Sequence, residues 1–252
     1  MHGSQVAVIT GASSGIGWEL AKVLAQEGYR LGLVARRREA LGQLADEIRR
    51  SGGAAELEPA DVASREEVVA AIRRLGERLG PCDLLIANAG VGHETFVDPL
   101  NVDQIEQMIR VNYLGAIYVI EAVLPEMLRR GRGHIAGVSS LAAYKGFPGQ
   151  QGYCASKAAL KTFLEGLRIQ LRHRGIRVTT ICPGFVHTPM TAQHRFGMPF
   201  VMNADEAARR IAKALRRRKK VFNFPWQTER LAKFTYWIPD WIIARTLRHT
   251  YR

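Results

Sequence analysis

Cysteine is scarce in this sequence. The three residues, Cys82, Cys154 and Cys182, include no C-x-x-C pair. There is therefore no disulfide framework and no thiolate metal site to read, and the usage points to a reducing compartment. Long hydrophobic runs are missing too, the apolar stretches falling short of the ~18 residues expected of a membrane span. The opening Met1-His2-Gly3-Ser4-Gln5 lacks the basic-then-apolar pattern of a secretory signal. No repeat, low-complexity tract or Pro/Gly-rich linker divides the chain. The expectation is a soluble, cytoplasmic protein with one domain, for which 252 residues provide an ample core.

Acidic residues are outnumbered, 23 Asp/Glu against 36 Lys/Arg, for a net charge of +13. The surplus is uneven: from Asp205 to Arg252 there are 13 Lys/Arg and 4 Asp/Glu, so +9 of the total lies in the last fifth of the chain. A near-neutral body with a basic tail fits an anionic partner such as a membrane surface, nucleic acid or an acidic protein. It fits equally a solvated helix face.

Short β-branched apolar runs alternate with helical patterns through the first 180 residues. The strands are read at Val6–Ile9, Leu31–Val34, Leu84–Ile86, His134–Val138 and Val178–Ile181, with a sixth at Ala54–Glu58. They lack polar alternation, as expected of strands covered on both faces. Between them lie helical stretches at Ile16–Glu27, Arg38–Arg50, Arg65–Leu79, Val102–Leu128 and Ala155–Arg172. This order predicts an α/β fold: a single-domain, doubly wound parallel sheet of Rossmann type with helices on both faces. Residues 1–190 would form the nucleotide-binding core. Residues 191–252 would add a lid, a final strand at Val221–Phe224 and a basic, aromatic C-terminal extension.

The first strand runs directly into Thr10-Gly11-Ala12-Ser13-Ser14-Gly15-Ile16-Gly17 and then a helix. In such a turn Gly11 permits the sharp bend, Gly15 lets the backbone approach a pyrophosphate, and Gly17 lets the helix lie close to the strand. The helix N-terminus then offers unpaired N–H groups to an anion. An NAD site usually places a carboxylate about 20 residues further on, to bind the ribose. Eighteen residues past Gly17 stands Ala35, followed by Arg36, Arg37 and Arg38. A guanidinium there suits the 2′-phosphate of NADP, which makes NADPH the expected cofactor over NADH.

Tyr153 and Lys157 are four residues apart at the head of a helix, hence on one face. Of seven tyrosines only this one has a lysine at that offset. An ammonium beside a phenol would lower its pKa from about 10 toward working pH, making the tyrosine a usable acid or base.

Taken in order, Thr10-Gly-Ala-Ser-Ser-Gly-Ile-Gly17, Asp61-Val62, Asn88-Ala89-Gly90, Asn112, Ser139-Ser140, Tyr153-x-x-x-Lys157 and Pro183-Gly184 resemble the motifs of the short-chain dehydrogenase/reductase family. The resemblance covers residues 5 to about 190. It implies that Tyr153 is the general acid, that Lys157 tunes it and binds the nicotinamide ribose, and that Ser140, thirteen residues before Tyr153, orients the substrate carbonyl. Asn112 would interrupt its helix and hold a water linking Lys157 to solvent. Asp61 and Val62 would contact adenine, and Asn88, Ala89 and Gly90 would line the ribose side. Pro183, Gly184, Val186 and Thr188 would hold the carboxamide. The departure Ala87 before Asn88, where the family often has a second asparagine, is expected to be benign. His187 is expected to be an exposed loop residue.

Beyond the Pro-Gly loop the resemblance implies a mobile lid over the substrate, and here Met190, Phe196, Met198, Phe200 and Met202 make that stretch apolar, or equally form a stripe closing a core or subunit contact. With Phe147 and Phe185 nearby, the substrate reads as an apolar ketone or aldehyde. The extension carries Arg216-Arg-Arg-Lys-Lys220 and then Trp226, Phe234, Trp237 and Trp241, in one or two amphipathic helices broken at Pro239. Subunit or pocket packing is the first reading for it and a membrane surface the second. For nucleic acid there is no recognised motif. The leading function is an NADPH-dependent carbonyl reductase, expected as a homodimer or homotetramer with no metal. The alternatives are an NAD-linked alcohol dehydrogenase and a non-catalytic, nucleotide-sensing or membrane-docked interaction protein.

Overall fold

The apolar runs pair as a parallel sheet because each is covered by helices on both sides, so that all their backbone polar groups must be satisfied between strands. The computed structural model describes residues 5–193, 198–235 and 237–247. In chain order the first elements are β1 (Val6–Thr10), α1 (Gly15–Gln26), β2 (Arg30–Ala35), α2 (Arg38–Arg50), β3 (Ala54–Pro59), α3 (Arg65–Leu79) and β4 (Leu84–Ala87). Then follow α4 (Val102–Ile109), a π-helical turn at Arg110–Leu114, α5 (Gly115–Arg130), β5 (Gly133–Val138), α6 (Gln151–Gln170) and β6 (Ile176–Pro183). The chain continues through β7 (Val186–His187), β8 (Met202–Asn203), α7 (Ala204–Arg216), β9 (Val221–Phe224), α8 (Trp226–Thr235) and α9 (Asp240–Leu247).

The main sheet has seven strands in the order β3-β2-β1-β4-β5-β6-β9, all parallel. One core layer joins α1, α2 and α7 to the sheet through Leu20, Leu24, Leu41, Leu44 and Ile211. The other joins α3, α5 and α6 through Val68, Leu75, Val119, Met127 and Leu164. The strand order reverses between β1 and β4, so their carboxyl ends diverge and open a crevice there. Because α7 shares the core of α1, residues 204–216 belong to the same body as the first 190.

Three local departures from the sequence reading have physical causes. Helix α6 starts at Gln151, four residues earlier than the apolar periodicity indicated, so Tyr153 lies inside its first turn. The polar Gln151 and small Gly152 hid that turn; Gly152 is buried and its N–H donates to Thr95 Oγ1 at 3.1 Å. The small parallel ribbon of β7 and β8 was not foreseen, being two residues per strand. Finally, Val102–Arg130 is long and apolar enough to cross a bilayer by length and composition, against the expectation that no such stretch exists. Its apolar face, including Val111, Val119, Val123 and Met127, is buried in the second core layer. Of the expected lid, Phe196 lies outside the described residues, as do Tyr236 and Arg248–Arg252 of the extension.

Candidate active site

The crevice at the switch point is a cleft of about 460 Å³. Its floor is a bolt between the β1 and β4 loops. Thr10 Oγ1 accepts from the N–H groups of Asn88 and Ala89 at 3.1 and 3.2 Å, and Asn88 Nδ2 donates back to the carbonyls of Thr10 and Gly11 at 3.0 and 3.3 Å. The packing leaves no room for side chains. A Cβ on Gly11, which has φ +68°, would stand 2.7 Å from Ala89 Cα, and one on Gly17 would stand 2.4 Å from the Gly11 carbonyl oxygen. Glycine is obligatory at both positions, one for its backbone angle and one for close approach.

The loop delivers the N-terminus of α1 to the cleft. Its cap residue Ser14 makes no side-chain capping bond, and the first turn holds no acidic residue. By contrast, Ser64 caps α3 by accepting from the Glu67 N–H, with Glu66 and Glu67 in that first turn. The uncapped end of α1 is where an anion would complete the hydrogen bonding, and its residues fit the pyrophosphate of a dinucleotide.

Two arginines stand at the rim. Arg37 donates from Nη2 to the Ser13 carbonyl at 3.0 Å and to Ser13 Oγ at 3.1 Å, with Nε also reaching Oγ at 3.3 Å. These partners are neutral, so its charge is uncompensated among the described residues. Arg36 Nη1 lies 3.8 Å from Asp61 Oδ2, an exposed and loose pairing. Asp61 also accepts the Ala63 N–H at 3.0 Å, which fixes the turn that brings Val62 to the cleft wall.

At the other end Ser139 and Ser140, adjacent in sequence, have different surroundings. Ser139 is buried and its hydroxyl donates to the Lys157 carbonyl at 2.8 Å. The Ser140 hydroxyl instead accepts the Ala142 N–H at 3.1 Å and donates to the Pro183 carbonyl at 3.5 Å, beside the Tyr153 phenol. Burial pushes Tyr153 up to about 12, the neighbouring Ser140 hydroxyl offsetting only part of it. This corrects the sequence expectation that Lys157 lowers the phenol toward neutrality. The Lys157 ammonium stands 5.8 Å from the Tyr153 ring centroid and donates to the Val138 carbonyl at 2.9 Å. Its own burial lowers it to about 8. At neutral pH the arrangement is a protonated phenol beside a charged amine, the state from which a proton can be given away.

Asn112 interrupts its helix as expected, within the π-helical turn. It lies wholly buried and does not line the cleft. Its Oδ1 accepts the Val91 N–H at 2.7 Å, while Nδ2 donates to the Val91 carbonyl and to Ser156 Oγ, each at 2.9 Å. With both amide protons engaged, the side chain braces the loop after β4 against α6; the expected water has only the second Oδ1 lone pair or the main chain to hold it. Thr10 and Gly17 likewise stand behind the wall and act through packing.

The remaining predicted residues all border the cleft: Gly11, Ser13, Ser14, Gly15, Ile16, Arg36, Arg37, Asp61, Val62, Asn88, Ala89, Gly90, Ser140, Tyr153, Lys157, Pro183, Gly184, Val186 and Thr188. Phe147 and Phe185, expected to add apolar surface, do not line it, and His187 is exposed outside it. Sequence reasoning missed His93 as a cleft residue. It lies three residues past Gly90, and its Nε2 is buried with no hydrogen-bond partner among the described residues. Met190 closes over the same end, its sulfur 3.5 Å and the Tyr153 ring 3.7 Å from where a Gly92 Cβ would stand.

Residues 5–198 match the family model described as short chain dehydrogenase. An uncharacterized oxidoreductase of Myxococcus xanthus is 43% identical over 223 residues, 88% of either chain. A variant of actinorhodin polyketide ketoreductase, solved with NADPH, superposes with a TM-score of 0.79 at 29% identity, over 87% of this chain and 95% of that one. A short-chain dehydrogenase/reductase from Burkholderia phymatum, solved with NAD, gives a TM-score of 0.80 at 25% identity, over 87% and 88%. With the cleft at the switch point and the motifs in place around it, the chain belongs to the short-chain dehydrogenase/reductase family of NAD(P)-dependent oxidoreductases.

Proposed function

We propose that this protein reduces a ketone or aldehyde to an alcohol with NADPH, and that Tyr153 gives the proton. The observation that carries this reading is the meeting of Ser140, Tyr153 and Lys157 on one wall of the cleft, with the phenol held protonated by burial. A bound NADPH would supply the hydride to the carbonyl carbon. Ser140 would hydrogen-bond the carbonyl oxygen and hold it against Tyr153 Oη, which releases its proton to that oxygen as the C–O single bond forms. The Lys157 ammonium, mostly charged below its pKa of about 8 and 5.8 Å from the Tyr153 ring centroid, would bind the nicotinamide ribose hydroxyls.

NADPH is favoured over NADH by Arg37. Among the described residues its guanidinium has only Ser13 as partner, and it stands on the rim beside Arg36, where a 2′-phosphate would complete a charge-assisted bond. The wall formed by Met190, Val186 and Gly92 near Tyr153 favours an apolar group on the substrate. The same reading places the protein in the cytoplasm, as a homo-oligomer.

The test is NADPH oxidation over a panel of ketones and aldehydes of graded apolar size, with Tyr153→Phe as the control. The expected result is turnover that rises with apolar size and is lost in the variant. NADPH binding without turnover of any panel member would favour the nucleotide-sensing alternative.

A further inference from the structure

Helix α8 is built inside out. Its inner side carries Thr228, which is buried, with Glu229, Ala232 and Thr235 partly covered. Its outer side carries Trp226, Arg230, Leu231 and Phe234. A surface helix of a free-standing domain turns its apolar stripe inward. Here Trp226 is 58% exposed and Phe234 63%, and the following turn and α9 add Trp237 at 80% and Trp241 at 68%. So many large apolar side chains kept in water within one short segment mark a surface that meets something.

The charges around this set are basic. Arg230 lies over the Trp226 ring at 4.9 Å, and neither Arg230 nor Arg245 has a carboxylate partner among the described residues. The two local acids are already engaged, Glu229 with Lys233 and Asn223, and Asp240 with Lys145. A second copy docking here through a two-fold axis would bring like charges together, whereas an anionic surface would neutralise them. The helices have 10 and 8 residues, too short to cross a bilayer of about 30 Å but sufficient to lie along its interface.

We propose that α8 and α9 dock this protein onto an anionic lipid bilayer, with Trp226, Phe234 and Trp241 entering the headgroup region and Arg230 and Arg245 meeting the lipid charge. The inner side of α8 backs the cleft wall. Thr228 of α8 packs on Gly184, which lines the cleft wall, and Asn223 just before α8 bonds Tyr144, four residues past Ser140. Docking would hold the cleft near the interface, where apolar carbonyl compounds partition. The docking itself stands independently of the activity proposed above.

The test is co-sedimentation of the full chain with vesicles of phosphatidylcholine alone and of phosphatidylcholine with phosphatidylglycerol. Binding to the anionic vesicles is expected, weakening as salt rises. Arg230→Gln with Arg245→Gln should weaken it about thirtyfold, at about fivefold per basic residue. Trp226→Ser with Phe234→Ser and Trp241→Ser should abolish it while leaving turnover of a soluble carbonyl compound and the melting temperature unchanged, since these side chains are exposed. Absence of binding to anionic vesicles at low salt would overturn the proposal, as would binding unaffected by the triple substitution. So would a wild-type dimer that the triple substitution dissociates, without any vesicle binding; that outcome would assign the surface to a second copy.

Discussion

The charge at the rim of the cleft can be tested by replacing Arg37 with alanine. In the structure Arg37 makes three hydrogen-bond contacts, all to Ser13. Losing them loosens the glycine loop and weakens NADPH and NADH alike. The phosphate term is separate and falls on NADPH alone. A charge-assisted bond between a guanidinium and a phosphate is worth about 1.5–3 kcal/mol, and the exposed rim places this one at the lower end. The ratio of the two dissociation constants should therefore shift by about tenfold toward NADH. The assay is fluorescence titration of both cofactors with wild type and variant. Salt provides a second check, because at ~1 M the screening length falls to about 3 Å and the wild-type preference should shrink. Equal weakening of both cofactors, with an unchanged ratio, would refute the phosphate role and leave Arg37 as a brace for the loop.

Other predictions follow from separate parts of the fold. Gly17→Ala places a Cβ 2.4 Å from a backbone oxygen and should cost about 2 kcal/mol of stability in chemical denaturation, with loss of both cofactors; unchanged stability would mean the loop relaxes freely. Asn112→Ala strands the Val91 N–H and should lower stability by about 3 kcal/mol while sparing the cofactor contacts, read by denaturation and by cofactor titration; a stable variant would contradict the brace. His134 is held neutral by burial and by the charges of Arg177 and Arg218, its pKa lowered from 6.5 to about 4. The unfolded chain binds that proton first as pH falls, so stability present above pH 6.5 is lost on the way down to about 4, by about 3 kcal/mol in total. His134→Gln should flatten this part of the stability–pH curve, and an equal slope in the variant would refute the assignment.

The sheet was legible because its strands are covered on both faces and therefore read as unbroken apolar runs, Val6–Thr10 and Leu84–Ala87 being typical. The cofactor loop was legible because close backbone approach at Gly11 and Gly17 admits only one residue type. What escaped depends on distance and burial, which spacing alone does not encode. Tyr153 and Lys157 share a helix face, yet the ammonium turns to the Val138 carbonyl and desolvation governs the phenol. Asn112 was read as a water holder from the family resemblance, but the bonds to Val91 and Ser156 come from segments 21 and 44 residues away. His93 lies in a loop with no periodicity to mark it. The extension was recognised as aromatic and basic, but which side of α8 faces outward depends on where β9 ends and how Thr228 seats against Gly184.

The central claim, a reductase that delivers hydride to a carbonyl carbon while Tyr153 delivers the proton, is tested most directly by isotope transfer. Wild-type protein is incubated with NADPH deuterated at the transferable position and a reactive apolar ketone, and the alcohol is analysed by mass spectrometry. The account predicts one deuterium on the carbinol carbon with wild type and no alcohol with Tyr153→Phe. An alcohol without deuterium, or one formed equally by the Phe variant, would contradict it.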